Sequence, residues 1–321
     1  MENSSQFKQL QITSQTLAPT FFQPLFLVLW VAGLTLFSLW LSFSSSYLLW
    51  GIGQLLLAIS MLQWFMLLHE TGHKTLFKKG MINRRIGHVA SLFCGIPFHS
   101  WQMIHHQHHK WAGWQDIDPT TEQVVPRKLR SFERNIINFC WKLYLPVFSI
   151  LYRFNNYWNL PRLLRLFPRK KMKIKHTINM TVLLLSYILT SLYLGPVLFL
   201  KIFGLSFFLH MIFSDPILLS QHSHIPQHLS SGSKVQPFLP ETQDVFTRSI
   251  VFPKWISRAI LFNFDAHEIH HMFPKVPGYL LPKLNFTGDN QVSWIRWLKE
   301  SKKIPADVLL FQNRNETGYD F

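Results

Sequence analysis

Long apolar runs dominate the pattern of hydrophobic and polar residues and predict where this chain crosses a membrane. Two runs, Phe21–Leu41 and Tyr47–Leu68, are separated by a short serine-rich segment, and two more, Thr177–Leu200 and Ile202–Leu219, are joined near Lys201. A helix needs about 20 apolar residues to cross about 30 Å of hydrocarbon. The pattern therefore predicts an all-α membrane protein with four transmembrane helices in two hairpins.

Two weaker apolar stretches are predicted to lie at the membrane surface. His88–Phe98 is too short to cross the bilayer, and Arg134–Phe154 mixes Asn, Lys and Tyr into its apolar run. Both stretches are typical of interfacial or half-buried helices. Because the apolar residues sit in blocks along the chain, residues 1–321 are predicted to form a single membrane domain.

Composition and charge favour a lipid partner over a nucleic acid. Only 15% of the residues are charged, against about 25% in soluble domains, and the formal net charge is +16. The basic residues lie between apolar runs and form no nucleic-acid-binding motif, so no nucleic-acid partner is expected, and attraction to the lipid bilayer explains the charge. If the runs pair as hairpins, every Lys and Arg except Lys201 lies on one side. The positive-inside rule assigns that side, with both termini, to the cytoplasm.

Histidines gather in three short motifs outside the centres of the apolar runs. The motifs are HETGH with His69 and His73, HHQHH with His105, His108 and His109, and HEIHH with His267, His270 and His271. The segment QHSHIPQH adds His222 and His224 directly after the fourth run. Helix positions i, i+3 and i+4 share one face, so each motif can direct two or three imidazoles at one point.

This number of imidazoles predicts a centre with two metal ions. Imidazole binds iron, zinc, copper or nickel, and a single zinc site takes about four ligands. His69, Glu70 and His73 also match the H-E-x-x-H pattern of zinc proteases, but the two further motifs argue against a protease. A metal carrier is a second alternative, although transporters place polar ligands near the bilayer midplane. A purely structural membrane protein would not require such a concentration of histidines.

The remaining histidines and the nearby acids are predicted to have supporting roles. Predicted caps or surface groups are His88, His99, His176 and His228. His106 is predicted to pack or to bind a carboxylate, and His210 to make a polar contact between helices or to support a ligand. The acids predicted to accept imidazole N–H groups are Glu70, Glu268, Asp116 and Asp118. For the two aspartates, the alternative is that they cap a turn.

From about Leu68 to Leu281 these motifs resemble the membrane fatty acid desaturase superfamily. HETGH, HHQHH and HEIHHMFPKVPGY are similar to the histidine boxes of bacterial and plastid-type acyl-lipid desaturases. The resemblance implies a cytoplasmic helical cap that carries a di-iron site. The implied iron ligands are His69, His73, His105, His108, His109, His224, His267, His270 and His271. It favours His224 over His222, and Asn263 matches a polar position near the metals of relatives.

The resemblance also implies the reaction and the partners. An acyl-lipid desaturase uses O2 to introduce a double bond into an acyl chain of a lipid. The sequence contains no HPGG haem motif, so electrons are expected from a separate donor, ferredoxin or cytochrome b5. The segment GHVASLFCGIPFHSW before HHQHH is similar to carotenoid hydroxylases. A carotenoid or lipid hydroxylase or ketolase of the same superfamily is therefore the alternative activity.

Overall fold

The computed structural model describes residues 2–321, with side chains from Phe7 onward, and these residues are mostly helical. The α-helices in chain order are α1 Glu2–Thr16, α2 Phe22–Ser42, α3 Tyr47–His73, α4 Gly80–Cys94, α5 Phe98–Trp111, α6 Ser131–Lys142, α7 Val147–Arg153, α8 Leu160–Leu166, α9 Lys170–Leu194, α10 Pro196–His222, α11 Lys254–Ala259, α12 His267–Met272, α13 Trp294–Ser301, α14 Ala306–Phe311 and α15 Arg314–Thr317. Two short strands, β1 Ser249–Val251 and β2 Gln291–Ser293, pair in parallel. The chain divides into two compact units.

The first unit, here called the span unit, comprises Pro19–Met103 and Ile150–Ser214. Among the described residues, four helices are long and apolar enough to cross a membrane, namely α2, α3, α9 and α10. They include the greater part of each apolar run of the sequence. The prediction of a mostly helical protein with four candidate membrane-spanning helices is therefore confirmed.

The joint between the third and fourth of these helices differs from the predicted one. α9 ends at Leu194 and α10 begins at Pro196, so the prediction of a joint near Lys201 is wrong. Gly195 adopts a φ of 80°, which favours glycine, and proline is well suited to the first turn of a helix. α9 also begins at Lys170, before the predicted Thr177, because lysine is a good helix former.

Polar side chains tie the helices of the span unit together. The Gln54 amide of α3 donates to the Ser42 hydroxyl and to the Ile202 carbonyl, each at 2.9 Å. Its oxygen accepts the Ser206 backbone N–H at 3.0 Å. Gln54 is fully buried, so these bonds offset the cost of removing its amide from water.

The second unit, here called the histidine unit, comprises residues up to Ala18, Ile104–Ser149 and Asp215–Phe321. One of its cores packs Leu10 of α1 with Ile269 and Met272 of α12, and the rings of Phe7 and Phe273 stack 5.6 Å apart. A second core gathers around β1, β2 and α13. α12 has only six residues, too few for a stable isolated helix, so it depends on this packing.

The two weaker apolar stretches are helical. α4 covers most of His88–Phe98 and ends at Cys94, while α6 and α7 cover most of Arg134–Phe154. Their location at a membrane surface stays a prediction.

Candidate metal centre

Four histidines of the histidine unit place their ring nitrogens close together. His108 lies on α5, His222 is the last residue of α10, and His267 and His271 lie one turn apart on α12. One ligand atom from each lies within 4.8 Å of the others. The Nε2 atom of His267 lies 2.9 Å from that of His222 and 3.1 Å from that of His271. We call these residues the four-histidine group.

The outer nitrogens of this group face hydrogen-bond acceptors. His108 Nδ1 lies 2.6 Å from an Asp118 carboxylate oxygen, and His222 Nδ1 lies 3.2 Å from the Phe246 carbonyl. His271 Nδ1 lies 3.0 Å from the Gln243 side-chain oxygen. An acceptor requires an N–H opposite it, so these three rings carry a proton on Nδ1 and a lone pair on Nε2.

Burial keeps the His271 ring in the protonation state that metal binding requires. His271 is 1% exposed, and burial, together with the neighbouring His267, His108, His222 and His270, holds its pKa well below its usual value. A metal ligand must be neutral imidazole, so burial prepares this ring for a metal.

The Asp118 carboxylate stays ionised beside these histidines. Burial by itself raises the pKa of Asp118, but His108 and the Thr120 backbone N–H outweigh burial and lower it. Thr120 donates its backbone N–H at 2.8 Å and its hydroxyl at 2.9 Å to the second carboxylate oxygen. Asp118 therefore holds the His108 ring in one orientation, as one of its predicted roles required, and it also caps the turn.

Three further histidines of the same unit form a second convergence. His105 and His109 lie one turn apart on α5, and His270 lies on α12. The Nε2 atom of His109 lies 3.1 Å from that of His105 and 3.1 Å from that of His270. The rings of His109 and His271 are 4.3 Å apart, so this three-histidine group adjoins the four-histidine group.

Gln243 connects the two groups, although it lies outside every predicted site. Its oxygen faces His271 Nδ1, and its nitrogen donates to the His109 carbonyl at 2.9 Å. The side chain is 1% exposed. No histidine motif contains this residue, and it reaches the centre only through the fold.

The HETGH motif lies in the span unit at the end of α3. The rings of His69 and His73 are 4.8 Å apart, as expected for residues one helical turn apart. His69 Nδ1 lies 3.2 Å from a Glu70 carboxylate oxygen, so Glu70 has its predicted role. The Thr75 hydroxyl donates to the other Glu70 oxygen at 2.9 Å and fixes that carboxylate.

The structure places His222, and not the favoured His224, in the four-histidine group. His222 completes α10, whereas His224 lies beyond the helix end with a φ of 61°. The His224 ring points to the C-terminal segment, where its nitrogens lie 3.2 Å from the carbonyls of Gln312 and Tyr319. His222 therefore replaces His224 among the candidate ligands.

Other predicted residues have structural partners. Glu268 accepts the backbone N–H groups of Ser249 and Asn290 instead of an imidazole, so its predicted role is wrong. Asp116 caps the turn at Ser230 and Ser231. The Asn263 amide donates to the Gly278 carbonyl at 3.1 Å, within its own loop.

The supporting histidines differ in how far they are exposed. His88, His106 and His228 are exposed. The His210 ring contacts the Arg153 guanidinium of α7 at 3.0 Å, so the predicted polar contact between helices is confirmed. His176 is fully buried and lies 3.2 Å from the Ser100 hydroxyl, so its prediction as a surface group or cap is wrong.

The chemistry of these groups fits a transition metal. The Nε2 atoms of His222 and His271 are acceptors, and both lie about 3 Å from His267 Nε2. Two lone pairs at this distance repel each other unless a proton or a cation lies between them. Imidazole suits iron, zinc and copper, and a cation at each convergence would pair with all of the nitrogens there.

Comparison with known proteins agrees with these features. The family model described as fatty acid desaturase matches residues 45–287. The chain is 24% identical, over 68% of its length, to an acyl-lipid omega-3 desaturase (cytochrome b5) of the endoplasmic reticulum of Arabidopsis thaliana. It is 23% identical, over 76% of its length, to a chloroplastic sn-2 acyl-lipid omega-3 desaturase (ferredoxin) of Helianthus annuus. It is 25% identical, over 68% of its length, to an endoplasmic reticulum omega-3 fatty acid desaturase of Vigna radiata. These matches span 58%, 57% and 58% of the three relatives.

Proposed function

Because the chain belongs to the fatty acid desaturase family, we propose that it is an oxygen-dependent desaturase that introduces a double bond into an acyl chain of a lipid. The observation that carries the proposal is the pair of adjoining groups of convergent imidazoles on α5, α10 and α12. In the reaction the acyl chain loses two hydrogen atoms. These atoms, with two electrons and two protons, reduce one O2 to two waters.

We assign one iron ion to each group. The first ion would be held by His108, His222, His267 and His271. The second would be held by His105, His109 and His270. We further propose that His69 and His73 of the HETGH motif complete the second set, as the resemblance to desaturases implies. When bound, the two irons supply the activation of O2 that abstraction of hydrogen from a CH2 group requires.

The surrounding residues prepare this site. The Asp118 carboxylate, the Phe246 carbonyl and the Gln243 amide hold protons on Nδ1 and direct the Nε2 lone pairs inward. Ligands fixed in this way lose little conformational freedom when a metal binds. The burial of His108, His267 and His271 excludes water, which would otherwise compete for the metal.

The mass of the product tests the proposed reaction. Expressed with ferredoxin or cytochrome b5 and their reductases, the protein is expected to yield acyl chains that lack two hydrogen atoms and carry no added oxygen. Mass spectrometry of the host lipids measures this, and His270→Ala is the inactive control. A product heavier by one oxygen atom, with unchanged unsaturation, would instead establish a hydroxylase.

We also propose that the four spans form two hairpins, with both termini and a cap formed by the histidine unit in the cytoplasm. All Lys and Arg residues except Lys201 then share one side, as the positive-inside rule requires. The protein draws its electrons from an external carrier, ferredoxin or cytochrome b5, named for two of the relatives.

Cysteine labelling of intact cells tests this topology. In a Cys140→Ser background, Ser45→Cys is expected to react with an impermeant maleimide, whereas Lys128→Cys and Lys299→Cys react only after lysis. All three positions are exposed, and Cys94 is buried. Labelling of Lys128→Cys or Lys299→Cys before lysis would contradict the cytoplasmic assignment.

A further inference from the structure

A cavity of about 470 Å³ lies in the histidine unit against α12. Ala266 and Ile269 form part of its wall, and each directly precedes a candidate iron ligand, His267 or His270. These two histidines are buried, so a large molecule outside the protein cannot contact them. A molecule bound in the cavity can, however, contact Ala266 and Ile269. Each of these residues is joined to a candidate ligand by one peptide bond.

The rim of this cavity is cationic and apolar. Lys254 and Arg258 of α11 line it and are exposed. These residues are four apart on the helix, so they share one face. Trp255, which follows Lys254 on the helix, is 65% exposed, and Val251, which lines the cavity at the end of β1, is 48% exposed. We call these four residues the α11 face.

The acidic side chain of the cavity does not cancel this positive charge at the surface. Asp265 lines the cavity but is only 9% exposed, and it accepts the Ser257 hydroxyl at 2.7 Å. The α11 face therefore presents two exposed cations and an exposed tryptophan beside the cavity. Such a face suits a partner with a carboxylate-rich surface and an apolar side chain that enters the cavity.

We propose that the α11 face is the docking site for an acidic electron-carrier protein, which delivers electrons to the metal centre through α12. This inference rests on the proposed desaturase function, which requires two electrons per double bond. A carrier that holds one electron must dock twice in each turnover, so docking has to be brief. Small interfaces, below about 1,200 Å², are typical of such encounters, and opposite charges speed their formation.

An exposed tryptophan between cations is also typical of a membrane-surface anchor. The cavity favours the protein partner, because a concave pocket lined by Ile250, Leu281 and Phe286 beside polar side chains accepts an inserted side chain. A membrane anchor instead needs a protruding apolar surface. Electron delivery also accounts for the proximity of the cavity to the helix that bears candidate ligands.

The double variant Lys254→Glu/Arg258→Glu tests the inference. With reduced ferredoxin or reduced cytochrome b5 as donor, it is expected to need about 10- to 100-fold more donor for half-maximal rate at low salt. The difference should shrink at high salt, because salt screens the charges. Trp255→Ala is expected to weaken the use of the donor as well, with little dependence on salt. Lys128→Glu, a charge reversal at an exposed site outside the cavity lining, is the control and is expected to match the parent protein.

A second electron source distinguishes failure of the docking site from failure of the proposed function. In single turnover with dithionite-reduced protein, all of these variants are expected to form as much product as the parent. Normal use of both donors by the double variant would overturn the docking site. Absence of a desaturated product with every reductant would overturn the proposed function itself. Quenching of a fluorophore on Trp255→Cys by quencher-bearing lipids would show that the face binds the membrane, and would also overturn the docking site.

Discussion

Replacing His222 by asparagine is expected to lower the iron content from about two ions to about one per chain and to abolish desaturation, whereas the same change at His224 preserves both. His222 Nε2 lies among the nitrogens of the four-histidine group, and an asparagine amide is a poor replacement for that lone pair. His224 faces the carbonyls of the C-terminal segment. Elemental analysis of the purified protein and product mass measure the two effects.

The choice of asparagine makes the two variants comparable. His224 has a φ of 61°, a conformation that asparagine adopts more readily than alanine, so the variant avoids backbone strain. Exposed His106, between the ligands of α5, supplies a further control, and His106→Ala should keep both ions. Loss of iron from the His224 variant, with full occupancy in the His222 variant, would restore the ligand set implied by the resemblance. One zinc and no iron in active protein would refute the di-iron assignment.

Asp118→Asn is expected to weaken iron binding by about 10- to 100-fold, the usual cost of losing the partner that orients a ligand. The change keeps the shape of the side chain but removes the charge that faces His108 Nδ1 at 2.6 Å. Competition with a graded series of chelators measures the affinity, and product formation should fall in parallel.

A neighbouring aspartate gives the matched control for this experiment. Among the described residues, Asp116 is hydrogen-bonded to Ser230 and Ser231 and to no histidine, so Asp116→Asn should leave iron affinity near the parent value. Equal affinities in the two variants would show that the Asp118 carboxylate does not act through His108. A Gln243→Leu variant extends the test, because Gln243 holds both His271 and the His109 carbonyl.

The apolar runs and the histidine motifs could be predicted from the sequence because both depend on local periodicity. A long apolar run specifies a membrane helix by itself, and the spacing of His105, His108 and His109 places them on one helix face. The joint at Gly195 was missed because Lys201 interrupts hydropathy more visibly than a glycine followed by proline.

Contacts between distant segments determine the features of the site that could not be predicted from the sequence. In QHSHIPQH two histidines stand two positions apart, and only the end of α10 determines that His222, and not His224, joins the group. Gln243 and the buried His176 likewise acquire their contacts from distant segments. No local pattern marks either residue.

The support of α12 by α1 has a consequence for the order in which the protein matures during synthesis. The helix that bears the third histidine motif is too short to persist alone, and its apolar side packs on Leu10, from the first helix of the chain. Contacts between segments so distant in sequence form late and must overcome the entropy of closing a long loop. A ribosome-bound chain that has not yet exposed α12 therefore lacks His267, His270 and His271 of the proposed iron site. The emerging polypeptide is thus spared the proposed oxygen-activating centre until α12 has been made.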